Sequence, residues 1–466
     1  MSTLEQTVPQ GYKQTEVGVI PEDWEAKSVG DVTAWLSGGT PSRKREDYWQ
    51  GNIPWISGST LKSLELSTSD QSLTKEGVEA GSKMAPFNST LLLVRGSALH
   101  NEIRAGLVVA PLCFNQDVKA LIPNSNIVPR YLTIYLLAME SELLKLVSSA
   151  GNSAGVLDTE LVKNFKFLNP PQEEQAAIAN ALSDVDALLT ELEKLIAKKQ
   201  AIKTATMQQL LTGKTRLPQF ATYTEEEWQA RHKHSSGTNV NVGACDDGSK
   251  SGGMDSRRKG TKPSELGEIP EDWDVFTFGM LAQPSNKRVN PQIMGGGDFC
   301  IELEHVEQNK GCLRGSTITS ESSAIKTVFG KQDVLFGKLR SYLRKYWLAD
   351  RDGVCSTEIW VLKPQNNLVI SPFLYQLVQM DSFIAATSEA YGTHMPRADW
   401  NVVKNHFIRV PRIEEQTAIA TILSDMDNEI QTLEQRLAKT RQIKQGMMQE
   451  LLTGRTRLPW NKSMEM

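Results

Sequence analysis

Glu173 to Pro218 reads EEQAAIANALSDVDALLTELEKLIAKKQAIKTATMQQLLTGKTRLP, and Glu414 to Pro459 repeats this stretch as EEQTAIATILSDMDNEIQTLEQRLAKTRQIKQGMMQELLTGRTRLP. About 26 of the 46 aligned positions are identical, and the offset between the copies stays constant at 241 residues. Solenoid repeats have periods of about 20–50 residues. This much longer period therefore indicates two domain-sized copies.

Two shorter repeats accompany the long one. GVIPEDW at Gly18–Trp24 returns as GEIPEDW at Gly267–Trp273, and VKN at Val162–Asn164 returns at Val403–Asn405. The stretches between these markers differ strongly between the two halves of the chain. The sequence therefore alternates between variable and shared segments, in the order variable, shared, variable, shared.

Each long repeat has the apolar spacing of a coiled-coil helix, because its apolar residues follow one another at steps of four and three. They are Ile178, Leu182, Val185, Leu189, Leu192 and Ile196 in the first copy, and Ile419, Leu423, Met426, Ile430, Leu433 and Leu437 in the second. The spacing then slips, resumes at Ile202 and Ile443, and ends in Leu210–Leu211 and Leu451–Leu452. We therefore predict one long helix in each copy.

The ends of these helices carry stop signals. Gly213 and Gly454 suit the position just past a helix, and Pro218 and Pro459 follow them. A helix of about forty residues is about 60 Å long. We expect the two apolar stripes to pair antiparallel, which would create a pseudo-two-fold axis. The alternative is that each stripe packs on its own globular domain.

The variable segments mix short strand-like runs with turn signals and one helical stretch each. Thr90–Val94 and Val334–Phe336 are strand-like, while Pro129–Val147 and Pro372–Thr387 are predicted helices. The predicted fold class is therefore mixed α/β. Two small α/β domains are separated by two long antiparallel coiled-coil helices.

The predicted division of the chain has five segments. They are a first variable domain at residues 1–168, a first spacer helix at 169–218, a linker at 219–262, a second variable domain at 263–410, and a second spacer helix with a tail at 411–466. The linker is rich in serine, glycine and charged residues and shows no periodicity. This composition predicts a flexible segment or a long exposed crossing.

The composition is that of a soluble globular protein, with 39% hydrophobic and 23% charged residues among 466. No apolar run reaches the roughly 18 residues that a membrane span requires, and the polar first ten residues do not resemble a secretory signal. The five cysteines are widely spaced and form no CxxC pair. This pattern argues against a zinc site and a disulfide framework, and we expect a cytoplasmic protein.

The charge balance is not that of a typical nucleic-acid binder. The net charge is −4 and the isoelectric point about 6.0, whereas nucleic-acid-binding domains usually carry a basic footprint. Local basic faces can still exist if acidic helices offset them. The location of the charges therefore matters more than their sum.

Apart from the linker, the whole chain resembles the specificity subunits of type I restriction–modification systems. The resemblance rests on the repeated IPEDW motif, on GGTPSRKREDYWQGNIPW at Gly38–Trp55, and on DVLFGKLRSYLRKYW at Asp333–Trp347. It also rests on the two EEQ-headed helices that end in LLTGKTRLP and LLTGRTRLP. These motifs occur in the family's order.

The resemblance implies a non-catalytic reader of double-stranded DNA. Members of the family hold two target-recognition domains, each similar to the DNA-reading domain of an adenine methyltransferase, separated by an antiparallel pair of spacer helices. The helices dock two modification subunits, which carry S-adenosylmethionine and methylate adenine, and a translocating restriction subunit can join them. This chain itself would then hold no cofactor, and no membrane would be involved.

Candidate DNA-binding residues in the first variable domain lie in two loops. They are Arg43, Lys44 and Arg45 in the first, and Arg95, Ser97, His100 and Arg104 in the second. Arginine, serine and backbone amides in such loops suit phosphate contact, and arginine and histidine also reach base edges. The alternative is that both are solvated surface loops.

The second variable domain concentrates cations and aromatics in one run. Its candidates are Lys338, Arg340, Tyr342, Arg344 and Lys345, followed by Tyr346 and Trp347. Cations neutralise phosphates, and aromatics beside them pack against sugars or an extruded base. The alternative is an amphipathic strand with its aromatics in the core.

A third group of candidates lies just before each VKN. GNSAGV and GTHMPR occupy equivalent places there and differ where target specificity would differ. The candidate readers in these loops are Asn152, Ser153, Thr393, His394 and Arg397.

Two motifs resemble those of enzymes but lack the rest of the pattern. Asn169–Pro171 is similar to the NPPY motif of adenine methyltransferases, but Gln172 replaces the aromatic and no glycine-rich cofactor loop precedes it. Gly213–Thr215 is similar to the end of a P-loop, but Gln208 replaces the required glycine and the motif ends a helix. We therefore predict no catalytic residue and no metal site in this chain.

Our hypothesis is that each variable domain reads one half of an asymmetric, bipartite DNA target. The helices act as a ruler, and half-site centres about one helical turn, roughly 34 Å, apart are expected. One rival is a scaffold that binds only proteins, for which any DNA association would be weak and insensitive to salt. The other rival is a self-sufficient nuclease or methyltransferase, against which the missing motifs argue.

Overall fold

The structure is a computed structural model that describes residues 8–148, 154–233, 257–290, 299–319, 324–388 and 396–458. The chain divides into two compact units. The first unit consists of Met1–Glu193 with Gln435–Met466, and the second of Lys194–Glu434. Each unit therefore combines one variable domain with a part of each long helix.

The two long helices lie where the repeat predicts them. They span Gln172–Leu210 and Ile413–Leu451, with 39 residues each. Gly213 and Gly454, just beyond their ends, have φ angles of 73° and 71°, a left-handed conformation that glycine adopts at least cost. The predicted helices and their glycine ends are confirmed.

The first unit contains a five-stranded sheet and a four-stranded sheet. The strand order in the larger is Thr33–Ser37, Val118–Pro123, Thr90–Leu93, Ala105–Val108, Glu65–Leu66, and in the smaller Ser72–Leu73, Trp49–Ile56, Cys113–Phe114, Lys83–Met84. A three-stranded sheet has the order Arg95–Gly96, Gly155–Leu157, Val147–Ser148. Two antiparallel pairs are Tyr12–Thr15 with Gly18–Pro21 and Glu25–Ser28 with Lys166–Asn169. The shorter helices are Val29–Val32, Lys75–Gly81, Pro129–Ala138, Glu140–Leu144 and Thr159–Lys163, with 3₁₀ turns at Glu46–Tyr48 and Ser97–His100.

The second unit contains a sheet of four strands and a sheet of five. The orders are Ala282–Pro284, Ile359–Pro364, Val334–Gly337, Tyr346–Leu348, and Arg288–Val289, Lys326–Phe329, Gly353–Ser356, Phe299–Ile301, Thr317–Ile318. Two further pairs are Thr261–Lys262 with Ile269–Pro270 and Asp274–Thr277 with Phe407–Val410. The shorter helices are Pro218–Ala221, Glu225–Lys233, Phe278–Leu281, Ser371–Leu377, Asp381–Ser388 and Trp400–Val403, with 3₁₀ turns at Leu303–His305 and Ser341–Leu343.

Each variable domain is a mixed α/β domain, as predicted. The strand Thr90–Leu93 is buried along its whole length in the first unit, and Val334–Gly337 is buried likewise in the second. Strands that are apolar on both faces need cover on both sides, which here comes from neighbouring helices and loops. The central strand of each domain is thus part of its hydrophobic core.

The predicted domain helices are each interrupted. The stretch predicted as Pro129–Val147 forms Pro129–Ala138 and Glu140–Leu144, which meet at Met139 with φ −88° and ψ 18°. The stretch predicted as Pro372–Thr387 forms Ser371–Leu377 and Asp381–Ser388. Apolar residues continue through both breaks, so the spacing of apolar residues did not reveal them.

The first part of the predicted linker has regular structure, which the lack of periodicity in its sequence did not reveal. Pro218–Ala221 and Glu225–Lys233 are helical, and Thr224 Oγ1 accepts a hydrogen bond from the Glu227 amide at 3.2 Å. An N-terminal threonine cap and three glutamates in the first turn stabilise such a helix locally. The linker residues 234–256 lie outside the described residues.

The apolar stripes serve two kinds of packing. Ile178 and Leu182 belong to the hydrophobic core of the first unit, and Ile419 and Leu423 to that of the second. The alternative that each stripe packs on a globular domain is therefore correct for the first turns of each helix. Leu192, Ile196 and Ile430 are buried too, whereas Leu189, Leu433 and Leu437 are half-buried.

The predicted resumption of the stripe at Ile202 and Ile443 is wrong. These two side chains are 41% and 49% exposed. The buried residues near the helix ends are Met207, Leu210 and Leu211 in the first helix and Leu451 and Leu452 in the second. Near the end of each long helix, the buried face is rotated away from the line that steps of three and four residues predict. The reason is that this part of the helix packs on a domain as well as on the other helix.

Ion pairs within each unit show that the helices run antiparallel. In the first unit Lys444 pairs with Asp186 and Arg441 with Glu193, both at 2.6 Å. In the second unit Lys199 pairs with Glu429 at 2.7 Å and Lys203 with Asp427 at 2.5 Å. In both units the residue number falls on one helix as it rises on the other. The antiparallel pairing is confirmed.

Candidate nucleic-acid interface

A buried ion network fastens the first variable domain to the long helices. Trp24 is fully buried and donates its Nε1–H to Glu174 Oε2 at 3.0 Å. Arg457 donates to both Glu174 oxygens, at 3.0 and 2.5 Å, and to both Asp23 oxygens, at 2.9 and 2.8 Å. Hydrogen bonding to Glu174, and then to Asp23, raises the pKa of Arg457 above its ordinary value. The network joins the first IPEDW motif to the start of one helix and the end of the other.

The second unit repeats this network with equivalent residues. Trp273 Nε1–H donates to Glu415 Oε2 at 2.9 Å, and Arg216 donates to Glu415 at 2.8 and 2.7 Å and to Asp272 at 2.8 and 3.2 Å. Burial alone would raise the pKa of Asp272, but hydrogen bonds from Arg216 and Lys259 lower it below its ordinary value. Both variable domains are therefore mounted on the helices in the same way.

The third residue of each EEQ motif is also structural. Gln175 accepts a hydrogen bond from the Val128 amide at 2.8 Å and donates to the Pro170 carbonyl at 2.9 Å. Gln416 accepts from the Ile370 amide at 3.0 Å and donates to the Pro411 carbonyl at 2.9 Å. Each glutamine thus holds the start of a domain helix against the start of a long helix.

Sequence reasoning quoted these motifs without giving their residues a role. The signal was present, because the tryptophan, the second glutamate, the glutamine and the arginine all recur in both copies. A buried carboxylate needs a cationic or hydrogen-bonding partner. The recurring glutamate, glutamine and arginine lie in apolar surroundings, so their pairing could have been predicted on that basis.

In the first unit the structure brings two of the predicted DNA-binding loops together. The strand Arg95–Gly96 pairs with Gly155–Leu157, with Arg95 opposite Val156 and Gly96 opposite Gly155. The turn Ser97–His100 follows directly. The loop with Arg95 and Ser97 therefore lies beside the loop that precedes VKN. Asn152 and Ser153 of that loop lie outside the described residues.

The second unit repeats the pairing with different side chains. Leu339 bridges to Arg397, and the Arg340 amide donates to the Pro396 carbonyl at 2.8 Å. The turn Ser341–Leu343 follows. Arg397 and Val156 are one repeat offset apart, so the two loop pairs are equivalent. Thr393 and His394 lie outside the described residues.

The Arg43–Arg45 loop has a different neighbourhood. The Arg43 guanidinium lies 4.4 Å from the Trp49 ring centroid and donates to Gln71 Oε1 at 3.1 Å. Arg45 donates to both Asp47 oxygens, at 2.8 and 2.6 Å, and lies 4.6 Å from the Tyr48 ring centroid. Lys44 is exposed, with no hydrogen-bond or ion-pair partner among the described residues.

These contacts leave the loop available to a phosphate. An exposed ion pair such as Arg45–Asp47 is screened by solvent and contributes little to stability, so a phosphate can replace the carboxylate at little cost. Arg104 differs, because it is half-buried and donates to the Gly58 carbonyl at 2.6 Å and to Glu102 at 2.8 Å. Its position is that of a structural arginine, whereas Arg95, Ser97 and His100 are exposed.

The cationic run of the second domain forms a hairpin turn in which some side chains face the protein. Arg344 pairs with Asp381 and donates to the Gln379 carbonyl at 3.3 Å, and Lys345 donates to the Leu303 carbonyl at 2.8 Å. Tyr346 and Trp347 are only 4% and 6% exposed. The amphipathic-strand alternative is therefore correct for these two aromatics.

Other residues of the run face outward. Arg340 and Tyr342 are exposed, Tyr342 by 52%, and Lys338 is half-buried. In the described part of the chain, neither Arg340 nor Lys338 has a side-chain partner. Arg397 is exposed and donates to Glu358 at 2.9 and 3.3 Å. Among the described residues, the exposed side chains in and beside this turn are therefore those of Arg340, Tyr342 and Arg397.

A membrane-crossing helix needs length and apolarity together, and none of the helices in the described ranges has both. The same ranges hold no group of three or more histidine, cysteine, aspartate or glutamate side chains placed to bind one metal ion.

Residues 21–204 and 270–442 match the sequence profile of the type I restriction modification DNA specificity domain. The chain belongs to this family. Each matched range covers one variable domain and a large part of one long helix, so the duplication is a duplication of the whole specificity domain. The resemblance inferred from the IPEDW and EEQ motifs is confirmed.

Named relatives are specificity subunits of type I restriction enzymes. The EcoR124I/EcoR124II subunit of Escherichia coli is 32% identical over 179 residues, 38% of this chain and 43% of the relative. The MjaIX subunit of Methanocaldococcus jannaschii is 33% identical over 189 residues, 39% of this chain and 42% of the relative. In these two matches the chain spans less than half the length of the relative.

Two weaker similarities extend over almost the whole chain. The MjaVIII specificity subunit of Methanocaldococcus jannaschii is 24% identical over 463 residues, 96% of each chain. The crystal structure of a type I restriction–modification S subunit from M. genitalium has a TM-score of 0.52 at 13% identity and covers 94% of this chain and 97% of its own. At this identity the structural likeness shows a shared fold alone.

Proposed function

We propose that this protein is the specificity subunit of a type I restriction–modification complex and reads an asymmetric, bipartite DNA target. One observation carries the proposal. Each specificity domain is joined to the long helices by an equivalent ion network and presents an equivalent pair of loops, but the side chains of the two loop pairs differ. A shared frame with different contact residues is what two readers of different half-sites require.

The distribution of charge supports DNA as the ligand despite the net charge of −4. The candidate loops contain three exposed cations that form no ion pair with any residue the structure describes, Lys44, Arg95 and Arg340. The long helices carry many of the acidic residues, beginning with Glu173 and Glu174 in one and Glu414 and Glu415 in the other. The helices then serve protein partners while the loops serve DNA.

We infer the partners of this chain from its membership of the family. Two modification subunits dock on the long helices and bring S-adenosylmethionine and adenine methylation, and restriction subunits join them. This chain supplies target choice and no catalytic group or cofactor. The names of three relatives, which are specificity subunits of type I restriction enzymes, support the role of target choice.

Methylome mapping of cells that express this chain with the modification subunit of its own system tests the proposal. We expect N6-methyladenine at one asymmetric motif with an unspecified gap. Exchange of residues 19–168 for the equivalent segment of a relative with another target should change one half of the motif, and exchange of residues 268–409 the other half. A complex that assembles yet leaves the DNA unmethylated would instead favour a protein-binding scaffold.

A further inference from the structure

Two arginines at either end of the turn Ser341–Leu343 have left-handed backbone conformations. Arg340 has φ 52° and ψ 54°, and Arg344 has φ 51° and ψ 52°. This region is sterically unfavourable for any residue with a Cβ atom. Residues other than glycine persist in it where the surrounding structure fixes the conformation, and they cluster at functional sites.

For Arg344 that contact lies within the protein. Its guanidinium pairs with Asp381 and donates to the Gln379 carbonyl at 3.3 Å, so the side chain fastens the turn to the helix Asp381–Ser388. Arg340 differs, because its side chain is exposed and has no partner among the described residues. Within the described ranges, therefore, no side-chain contact of Arg340 offsets its backbone strain.

The first unit has no side chain at the corresponding place in the strand pairing. Arg95 and Leu339 are equivalent, because they pair with Val156 and Arg397, which are one repeat offset apart. The next residue in the first unit is Gly96, which precedes the turn Ser97–His100 as Arg340 precedes Ser341–Leu343. Gly96 has φ 158° and ψ 163°, a different backbone conformation from that of Arg340, so the two residues correspond in their place in the strand pairing and only Arg340 carries a side chain there.

We propose that Arg340 is a specificity-determining residue and reads a guanine in the half-site of the second domain; this inference rests on the proposed function. The guanidinium is a planar fork that matches the O6 and N7 acceptors of guanine in the major groove. Its neighbours fit a DNA-facing surface, because Tyr342 is 52% exposed and the half-buried Lys338 adds a second positive charge two residues away. The first domain cannot read a base from this position, since Gly96 has no side chain.

Three variants test the inference in the complex with the modification subunits. Arg340→Gly should relax the methylated motif at one guanine position of one half-site, with discrimination at that base falling about 5- to 150-fold. It should also raise Tm by about 2 °C, because glycine relieves the left-handed backbone. Arg340→Lys keeps the charge but loses the fork, so it should relax the same position while the salt dependence of DNA binding stays unchanged.

Arg344→Gly is the matched control, since it relieves the same backbone conformation four residues later. The substitution removes the stabilising contacts to Asp381 and Gln379, so Tm should not rise. The methylated motif should stay unchanged, because the Arg344 side chain is bound within the protein. Lys338→Ala gives the pattern of a phosphate contact, a uniform loss of affinity and a shallower salt slope.

The possible results separate the inference from the proposed function. An unchanged motif in Arg340→Gly, or a uniform loss like that of Lys338→Ala, would overturn the guanine assignment while the wild-type motif still supports a specificity subunit. A lower Tm in Arg340→Gly would show that the side chain is structural and would also overturn it. If the wild-type complex methylates nothing, the proposed function fails and the inference fails with it.

Discussion

Glu415 is the central residue of the second mounting network, where its carboxylate is bound by Arg216 and Trp273 and its side chain is 2% exposed. Glu415→Ala leaves the Arg216 guanidinium and the Trp273 N–H without this acceptor in a buried place. Removing one partner of a buried pair costs about 3–5 kcal/mol, and we expect the free energy of unfolding to decrease by an amount near this range. Urea denaturation of the purified chain measures it.

Glu414→Ala is the matched control for this change, because Glu414 is the preceding residue and is exposed. A surface substitution of this kind alters stability by about 0.5 kcal/mol or less. Equal effects of the two substitutions would contradict a structural role for the network. The equivalent pair in the first unit, Glu174 and Glu173, offers an independent repetition of the comparison.

At the scale of the element, the end of the second long helix depends on a glycine. Gly454 has φ 71°, and a Cβ atom there would lie 2.5 Å from Pro21 Cδ. Gly454→Ala should therefore lower the free energy of unfolding by about 1–3 kcal/mol, as residues forced into this region do. Thermal unfolding followed by circular dichroism measures the change.

For Gly446, which lies eight residues earlier and inside the helix, we expect substitution by alanine to have the opposite effect on stability. A Cβ atom there would have no neighbour within 4 Å, and alanine is favoured over glycine inside a helix by about 0.5–1 kcal/mol. Gly446→Ala should therefore raise Tm while Gly454→Ala lowers it. The explanation from backbone conformation and close approach would be wrong if both changes had the same sign.

At the scale of the whole molecule, both long helices run through the division between the compact units, at Glu193–Lys194 and Glu434–Gln435. If the helices set the gap between half-sites, seven residues inserted at each point add about 10 Å of helix and keep the heptad spacing. The unspecified gap of the methylated motif should then grow by about three base pairs, at about 3.4 Å each. Methylome mapping reads the gap directly, and an unchanged gap would refute the ruler.

The duplication, the long helices, their glycine ends and the α/β character of the variable domains could be predicted from the sequence alone. Each of these features has a local cause. The spacing of apolar residues along one segment predicts its helix, and Gly213 or Gly454 just past the last apolar residue predicts its end. The family resemblance is likewise carried by short motifs, each of which is contiguous in the chain.

The tertiary structure alone decided what each side chain contacts. Ile202 and Ile443 continue an apolar pattern and are nevertheless exposed, because burial depends on the domain that each helix meets. Arg340 and Arg344 are arginines of the same cationic run. Arg344 nevertheless pairs with Asp381, 37 residues further along the chain, whereas Arg340 pairs with no described side chain. Such contacts join residues that are distant in sequence, so local patterns hold no record of them.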